Sequence, residues 1–287
     1  MLKILILRFY KSIKVNGLIK TFFSIPRRII EQKKSSNFLR SIKISSLISK
    51  YKQLPITIKT IRGYPIDLNL INQKKNIKGI KKNHKDLTAL TFGIYDDVSF
   101  ELELKKIGLD VYSFDPSPIS IKLFEDDYEL SKNIFFKPVG LWVYDGSVKF
   151  YESDPTNIQS ADKKEYSVVN ISNSDKFLEF KCKELNTIIK ELKLISINYL
   201  KLDIEGAVPV ILNQYFNKNK IILPEQICFE LEFPEKHNSE NFYEMMRESK
   251  ILLEKMNSYY EIFYLPKRDM FSHIIIYGRL NKSRISN

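Results

Sequence analysis

Cysteine and histidine are scarce in this chain of 287 residues, and their scarcity excludes several kinds of site. The two cysteines, Cys182 and Cys228, lie far apart and show no metal-type spacing, so we expect two reduced, buried thiols. The three histidines, His84, His237 and His273, are too few and too scattered for a His-rich metal centre. The sequence therefore predicts no metal site.

Long apolar runs are also missing. No segment approaches the roughly 18–20 consecutive apolar residues that a membrane-spanning helix needs. The N-terminal region lacks the apolar core and small-residue cleavage site of a secretory signal, which favours a cytoplasmic protein. A hydrophobic fraction of 44% with 13% aromatic residues is typical of a packed core.

Positive charge is concentrated at one end of the chain. The net charge is +12, and residues 1–50 contain twelve Lys or Arg but a single acid, Glu31. Interspersed Ile, Leu and Phe predict a basic amphipathic helical segment, 1–50. Two interpretations remain open: a peripheral contact with the inner face of the membrane, or packing on the domain or a protein partner. Because the remainder is nearly neutral, nucleic acid is not an expected partner.

The rest of the chain alternates between strand and helix patterns. Residues 51–84 predict a hairpin around Gly63 and a polar connection, and residues 85–280 predict the main domain. The predicted strands are Leu87–Ile94, Leu109–Phe114, Ile134–Val139, Tyr199–Ile204, Gln226–Leu231, Tyr260–Tyr264 and His273–Tyr277. Helices are predicted between most of these, so we expect a mostly parallel sheet covered on both faces and closed by an antiparallel pair. Asp145-Gly146 predicts a hairpin insertion over about 141–180.

Three segments bring carboxylates to the ends of predicted strands, where open α/β sheets bind ligands. At the first, a dinucleotide site would need Gly-x-Gly-x-x-Gly, whereas this chain has Gly93 followed by Asp96 and Asp97. Two carboxylates would repel a pyrophosphate. A cationic ligand without phosphate, such as S-adenosylmethionine, fits better. The alternative is that either acid caps the next helix, which stabilises it by about 1 kcal/mol.

The second segment ends at Asp115-Pro116 and the third at Asp203-Ile204-Glu205. An acid about 20 residues after the glycine commonly accepts hydrogen bonds from ribose, although an Asp-Pro turn is an alternative. Asp203 and Glu205 are two residues apart, so both side chains are able to face one space, with Lys201 as an ion-pair partner of Asp203. One of them capping the next helix remains the alternative.

Acids also interrupt the next predicted strand, at Glu230 and Glu232. Carboxylates in an apolar strand are rarely buried without a partner. His237 follows closely and is a candidate general base, with simple solvent exposure as the alternative.

With these residues in place, the chain resembles the FkbM-type methyltransferases, a branch of the class I S-adenosylmethionine-dependent enzymes. The resemblance extends from about residue 85 to 278 and depends on 92–101, 111–118 and 200–207 in that order. It implies a Rossmann-like seven-stranded sheet with an antiparallel last strand, and methyl transfer to a hydroxyl of a sugar or natural product. Its cofactor would be S-adenosylmethionine.

The resemblance places Gly93 under the methionine part of the cofactor, Asp115 on its ribose and Asp203 near the reacting end. Tyr95 departs from the family, which often has a second glycine there; its ring must point away from the cofactor or partly cover it. The expected cofactor-binding set is Phe92, Gly93, Tyr95, Asp96, Asp115, Pro116, Val139, Gly140 and Asp203. Asp203, Glu205 and His237, in falling order, are the candidate bases.

Three functions follow from these observations. The first is O-methylation of a saccharide, glycolipid precursor or natural product. The second is a glycosyltransferase, because Asp203-Ile204-Glu205 imitates an acid pair that holds a metal and a nucleotide sugar. The third is a protein that binds the cofactor without catalysis, or a scaffold that acts through its basic N-terminus; Tyr95 supports this alternative.

Overall fold

The computed structural model describes residues 39–75, 87–152, 166–170, 175–234, 239–266 and 273–284. The strands are β1 (Lys52–Gln53), β2 (Lys59–Ile61), β3 (Tyr64–Ile66), β4 (Thr88–Phe92), β5 (Asp110–Phe114), β6 (Phe135–Lys137), β7 (Gly140–Leu141), β8 (Gly146–Glu152), β9 (Tyr166–Ser167), β10 (Phe177–Lys183), β11 (Tyr199–Leu202), β12 (Gln226–Glu232), β13 (Tyr260–Pro266) and β14 (His273–Leu280). The helices are α1 (39–48), α2 (Leu68–Lys75), α3 (Ser99–Ile107), α4 (Pro118–Asp126), α5 (Tyr128–Asn133), α6 (Leu185–Glu191), α7 (Val208–Phe216) and α8 (Glu240–Met256), with a short 3₁₀ turn at Lys282–Arg284.

The main sheet has the strand order β1-β13-β14-β12-β11-β4-β5-β6. Only β14 runs antiparallel to its neighbours, so the predicted antiparallel closure is confirmed. The expected count of seven strands is wrong, because Lys52 and Gln53 pair in parallel with Phe263 and Tyr264 and add an eighth. The result is a mixed α/β fold with a large, mostly parallel sheet, consistent with the expected Rossmann-like fold.

Alternate residues of the central strands pack into two hydrophobic cores, one on each face of the main sheet. Leu200 and Leu202 of β11 pack in a core that includes residues of α1, α6, α7 and α8. Tyr199 faces the opposite side, where it joins the core formed with α2, α3 and the β2–β3 hairpin. Because side chains alternate along a strand, Lys201 lies on the same side as Tyr199. Cys182 and Cys228 are free and buried, as expected.

Helix α3 lies between β4 and β5 in the chain, and it ends before Gly108, as the sequence predicts. Gly108 has φ +94° and donates its N–H to the carbonyls of Leu104 and Lys105. A left-handed glycine after the last turn is a common way to satisfy the final carbonyls of a helix. The chain then enters β5, which carries Asp115 at its carboxyl end.

The described part of the basic N-terminal segment packs on the domain. Ile44 and Ile48 of α1 are buried in the main core. Arg40 donates to the carbonyl oxygen of Pro234 at 3.2 Å, and Lys43 Nζ donates to the Tyr243 hydroxyl at 2.9 Å. Residues 1–38 lie outside the described part of the chain. Among the described residues, no helix is long and apolar enough to cross a membrane.

The insertion differs from the predicted hairpin. It forms a four-stranded sheet in the order β7-β10-β8-β9, in which β7 pairs in parallel with β10 rather than with β8. The backbone N–H of Trp142 donates to the carbonyl oxygen of Lys183 at 3.0 Å, and Asp145 Oδ1 accepts the backbone N–H of Glu184 at 2.8 Å. These contacts hold the Asp145-Gly146 turn against the end of β10. The pairing of β7 with β10 therefore joins residues that are about 40 positions apart in the sequence.

The hairpin around Gly63 is present, but its strands, expected at 56–59 and 66–70, lie closer to the turn, at Lys59–Ile61 and Tyr64–Ile66. The chain enters α2 at Leu68, because Asp67 Oδ1 accepts the N–H of Asn69 at 3.0 Å and turns the backbone. Residues 76–86 of the predicted connection lie outside the described residues.

Candidate functional site

A cavity of about 260 Å³ lies at the carboxyl ends of β4, β5 and β11, beneath the small sheet. This is the edge at which open α/β sheets bind ligands. The lining residues are Phe92, Gly93, Ile94, Tyr95, Phe114, Asp115, Pro116, Ser117, Gly140, Leu141, Phe150, Tyr166, Val168, Phe180, Asp203, Ile204, Glu205 and Ala207. The three segments identified in the sequence therefore meet at one cavity.

Gly93 is required by the close approach of two strand ends. Its φ is +80°, and a Cβ added there would lie 1.7 Å from the carbonyl oxygen of Asp203. Nearby, Asp203 donates its N–H to the Phe92 carbonyl at 3.0 Å. Only glycine allows the β4 and β11 ends to stay in this contact.

Asp115 holds the loop after β4. Its side chain is buried, and Oδ2 accepts the N–H groups of Ile94 and Tyr95 at 2.8 and 2.9 Å. Oδ1 accepts the N–H of Ser117 at 2.8 Å. A carboxylate has about four acceptor positions, so roughly one remains for a ligand. The loop amides that would bind a phosphate are therefore already occupied by a carboxylate.

Two lining residues other than glycine have left-handed backbones. Tyr95 has φ +56° and Glu205 has φ +47°. The hydroxyl of Ser120 donates to the Tyr95 carbonyl at 2.7 Å, and that of Ser167 donates to the Glu205 carbonyl at 2.6 Å. Such strain persists where surrounding contacts enforce it, and it is frequent at binding sites.

Lys201 is a buried cation at the junction of these loops. Its Nζ donates to the Gly93 carbonyl at 2.9 Å and lies 3.6 Å from Glu101 Oε1 and 3.9 Å from Asp203 Oδ2. Burial lowers the pKa of Lys201, but the carboxylates of Glu101 and then Asp203 outweigh it, so the pKa is raised above 10.5. The side chain therefore stays charged at neutral pH.

Glu101 is closer to Lys201 than Asp203 is, and the sequence analysis did not predict this contact. It is fully buried, and neither of its oxygens accepts a hydrogen bond from the described residues. Its charge is compensated by Lys201 at 3.6 Å. The position of Glu101 between Phe100 and Leu104, on the buried face of α3, is the sequence feature that indicates a buried acid in need of a partner.

Tyr64 reaches the site from the hairpin and was not predicted. Its hydroxyl is hydrogen-bonded to Asp203 Oδ2. Burial, followed by the charge of Asp203, raises the pKa of Tyr64 far above 10. The phenol therefore keeps its proton, and its hydroxyl donates a hydrogen bond to the carboxylate that fixes the orientation of Asp203.

Replacing Tyr64 with phenylalanine should lower the free energy of unfolding by about 1.5–3 kcal/mol, toward the lower end because Asp203 is partly exposed. Urea denaturation measures this change. In the matched variant Tyr199→Phe, the lost hydroxyl donates to the neutral carbonyl of Pro65 at 2.7 Å, and we expect a smaller loss of about 1 kcal/mol. Equal losses in both variants would contradict a charged acceptor at Tyr64.

The acids of β12 have a partner on β14. Nδ1 of His273 lies 2.9 Å from Glu230 Oε1 and 3.0 Å from Glu232 Oε1. These carboxylates, Glu230 before Glu232, raise the pKa of His273 to about 10 against the opposing effect of burial. The expected nearby base, His237, lies outside the described residues.

Of the predicted site residues, the cavity lining includes Phe92, Gly93, Tyr95, Asp115, Pro116, Gly140, Asp203 and Glu205. Asp96 and Val139 are not in the lining. Asp96 is exposed after the left-handed turn at Tyr95, and Val139 packs against the main core. Asp97 Oδ1 accepts the N–H of Ser99, the first residue of α3, at 2.8 Å, but Asp97 is not the N-cap, which is Val98 and makes no side-chain cap hydrogen bond. The ligand-binding roles themselves stay predictions.

Aromatic side chains of the small sheet form the wall opposite the acids. Phe150 and Phe180 meet edge to face with ring centroids 5.1 Å apart, and Tyr166 meets Phe180 at 6.1 Å. The cavity thus combines carboxylates on one side with an apolar aromatic surface on the other, a common composition for small-molecule sites.

No family model matches the chain, and no curated protein matches it. Solved structures to which it is similar include the fibrillarin pre-rRNA processing protein of Methanococcus jannaschii (12% identity, 68% of this chain and 67% of that chain, TM-score 0.39). Others are a putative caffeoyl-CoA O-methyltransferase from Staphylococcus aureus (10%, 88% and 98%, 0.37) and Aeropyrum pernix fibrillarin with natively bound S-adenosyl-L-methionine (13%, 81% and 86%, 0.35). All these TM-scores are low, so the proposed function rests on the site and the sequence segments.

Proposed function

We propose that this chain is an S-adenosylmethionine-dependent methyltransferase of the FkbM type. Its acceptor would be a hydroxyl group on a saccharide, a glycolipid precursor or a natural product. The single observation that carries the proposal is the occupation of the Ile94 and Tyr95 amides by the Asp115 carboxylate. This loop presents acids where a dinucleotide site presents free N–H groups.

The residues of the cavity fit the proposed cofactor in charge and polarity. S-adenosylmethionine carries a sulfonium and an ammonium group and no phosphate, and Asp203 and Glu205 line the cavity. The aromatic wall of Phe150 and Phe180 offers an apolar surface for the less polar parts of the ligand. The remaining acceptor position of Asp115 suits a ribose hydroxyl. A nucleotide-sugar diphosphate would instead meet carboxylates.

Asp203 is the first candidate for the base. The Tyr64 hydrogen bond and the Lys201 contact both involve Oδ2, so Oδ1 is the oxygen that would accept a proton from the acceptor hydroxyl. When bound, S-adenosylmethionine would supply an electrophilic methyl group. The fixed Asp203 side chain would contribute orientation and a proton acceptor.

Residues 1–50 are proposed to bring the protein to membrane-attached acceptors at the inner face of the membrane. Their excess of Lys and Arg favours anionic surfaces. Helix α1 packs on the domain, and nine of the twelve basic residues of the segment precede this helix in the sequence.

Isothermal titration of the full chain with S-adenosylmethionine and S-adenosylhomocysteine tests the proposal. We expect a Kd on the order of micromolar for the wild type. Asp115→Asn should weaken binding about 10–100-fold, or about 1.4–2.8 kcal/mol, because the new NH₂ group cannot accept every loop N–H that the carboxylate accepts.

The matched control is Asp110→Asn, at the opposite end of β5, where Asp110 pairs with Lys105 at 3.2 Å. It should bind the cofactor like the wild type. A folded wild-type protein that binds neither compound, or that binds a nucleotide sugar with Mg²⁺ more tightly, would contradict the methyltransferase proposal and favour the glycosyltransferase.

A further inference from the structure

We propose that Glu230, Glu232 and His273 form a binding site for an octahedral divalent metal ion such as Mn²⁺. One ligand atom from each residue lies within 4.8 Å of the other two. The sequence alone does not predict the site, because its ligands come from β12 and β14 and meet only when these strands pair. The proposal is independent of methyl transfer.

The distances around His273 match the geometry of such an ion. Nδ1 is 2.9 Å from Glu230 Oε1 and 3.0 Å from Glu232 Oε1. Neighbouring ligands on an octahedral ion with bonds of about 2.1 Å lie about 3.0 Å apart, whereas tetrahedral ligands lie about 3.4 Å apart. The two separations from Nδ1 therefore match neighbouring ligands of an octahedral ion.

The hydrogen bonding of His273 is consistent with a shared ion. Nδ1 is buried and lies within 3.0 Å of one oxygen of each glutamate, yet it makes no hydrogen bond among the described residues. A close approach without a hydrogen bond is expected of atoms that are ligands of the same ion.

Charge also favours a divalent ion here. The side chains of Glu230 and Glu232 are 4% and 10% exposed, and they lie on the same face of β12. An imidazolium supplies one positive charge beside the two carboxylates, whereas a divalent ion would supply two. One imidazole nitrogen and two carboxylate oxygens suit Mn²⁺, and the exposed part of His273 leaves room for water ligands.

The site adjoins the cavity. Glu230 follows Phe229, which pairs with Leu202, and Asp203 follows Leu202 on the neighbouring strand. The charge of Glu230 contributes to the raised pKa of Tyr64, whose hydroxyl contacts Asp203. An ion at this position would lie beside the candidate base.

The experiment is a titration of the metal-stripped full chain with MnCl₂, in which free Mn²⁺ is measured by electron paramagnetic resonance at mildly alkaline pH. We expect one site with a Kd on the order of 10 μM. Glu232→Gln and His273→Gln should each weaken binding at least about tenfold. The imidazole NMR signals that His273→Gln removes identify His273 among the three histidines of the chain, and Mn²⁺ should broaden these signals in the wild type.

Glu261→Gln is the control, since Glu261 pairs with Arg279 near the far end of β14. It should bind Mn²⁺ like the wild type, and circular dichroism and urea denaturation establish that each variant is folded. Absence of binding by the wild type would overturn the proposal and leave His273 as an imidazolium between two glutamates. Equal binding by Glu232→Gln and the wild type would also overturn it.

Discussion

Replacement of Gly93 by alanine is expected to destabilise the protein by more than about 4 kcal/mol and to abolish ligand binding in the cavity. The added Cβ would lie 1.7 Å from the carbonyl oxygen of Asp203, and both groups belong to the backbone of strand ends. The clash cannot be relieved by a rotamer change, so β4 and β11 must separate. The left-handed φ of +80° adds about 1–2 kcal/mol. Urea denaturation gives the loss of free energy of unfolding.

Gly63→Ala separates the two causes. Gly63 has φ +90° in the β2–β3 turn, and no described atom lies within 4 Å of the position a Cβ would take. This variant should lose only the conformational part, about 1–2 kcal/mol. If Gly93→Ala is no more destabilising than Gly63→Ala, the close approach of Asp203 to Gly93 is not what requires glycine.

Lys201→Met is expected to cost about 3–5 kcal/mol of stability. The substitution keeps an unbranched side chain, one atom shorter, but removes the charge that lies 3.6 Å from Glu101. Glu101 is fully buried, so its carboxylate would remain in the core without a cation. The variant should also lose the hydrogen bond to the Gly93 carbonyl, which loosens the loop of the cavity.

A second substitution tests this cause. In Lys201→Met with Glu101→Gln, no uncompensated carboxylate remains in the core, and about half or more of the lost stability should return. A further loss in the double variant would instead indicate that Lys201 acts mainly through Asp203 or Gly93.

The contribution of Lys201 to the free energy of unfolding should decrease at high pH. The pKa of Lys201 is raised in the folded state, so its contribution to stability is complete below about 10.5 and is lost as pH rises through the folded value. The difference in stability between wild type and Lys201→Met should therefore narrow at strongly alkaline pH.

The local features of the fold could be predicted from the sequence because their causes are local. Strands β4, β5 and β11 are each followed directly by Gly or Asp, and Gly108 ends α3. The edge strand Lys52–Gln53 consists of two exposed polar residues, which leave no pattern. The β7–β10 pairing was missed because it joins Leu141 to Lys183, whereas a turn signal reports only its immediate neighbours.

The same division applies to the candidate site. Asp115 and Asp203 were identifiable because each directly follows a strand, and parallel strands bring their carboxyl ends to one edge. The contact of Lys201 with Asp203 was also predicted, because the two residues alternate on one face of a strand, and it is confirmed at 3.9 Å. Tyr64 and Glu101 were missed, since Tyr64 and Asp203 are 139 residues apart and Glu101 reads as one more acid of a helix. Contacts between residues distant in the sequence depend on packing, which a sequence pattern does not contain.

The short strand Lys52–Gln53 has a consequence for solubility. It covers part of the β13 edge, and Lys52 places a charge there beside Glu261 at 3.0 Å. An uncovered edge of seven residues is a template for pairing with another molecule. At the other side of the sheet, β6 has only three residues and includes Lys137. Both edges of the main sheet are thus protected against pairing with another molecule, one by the added strand β1 and the other by the short length of β6.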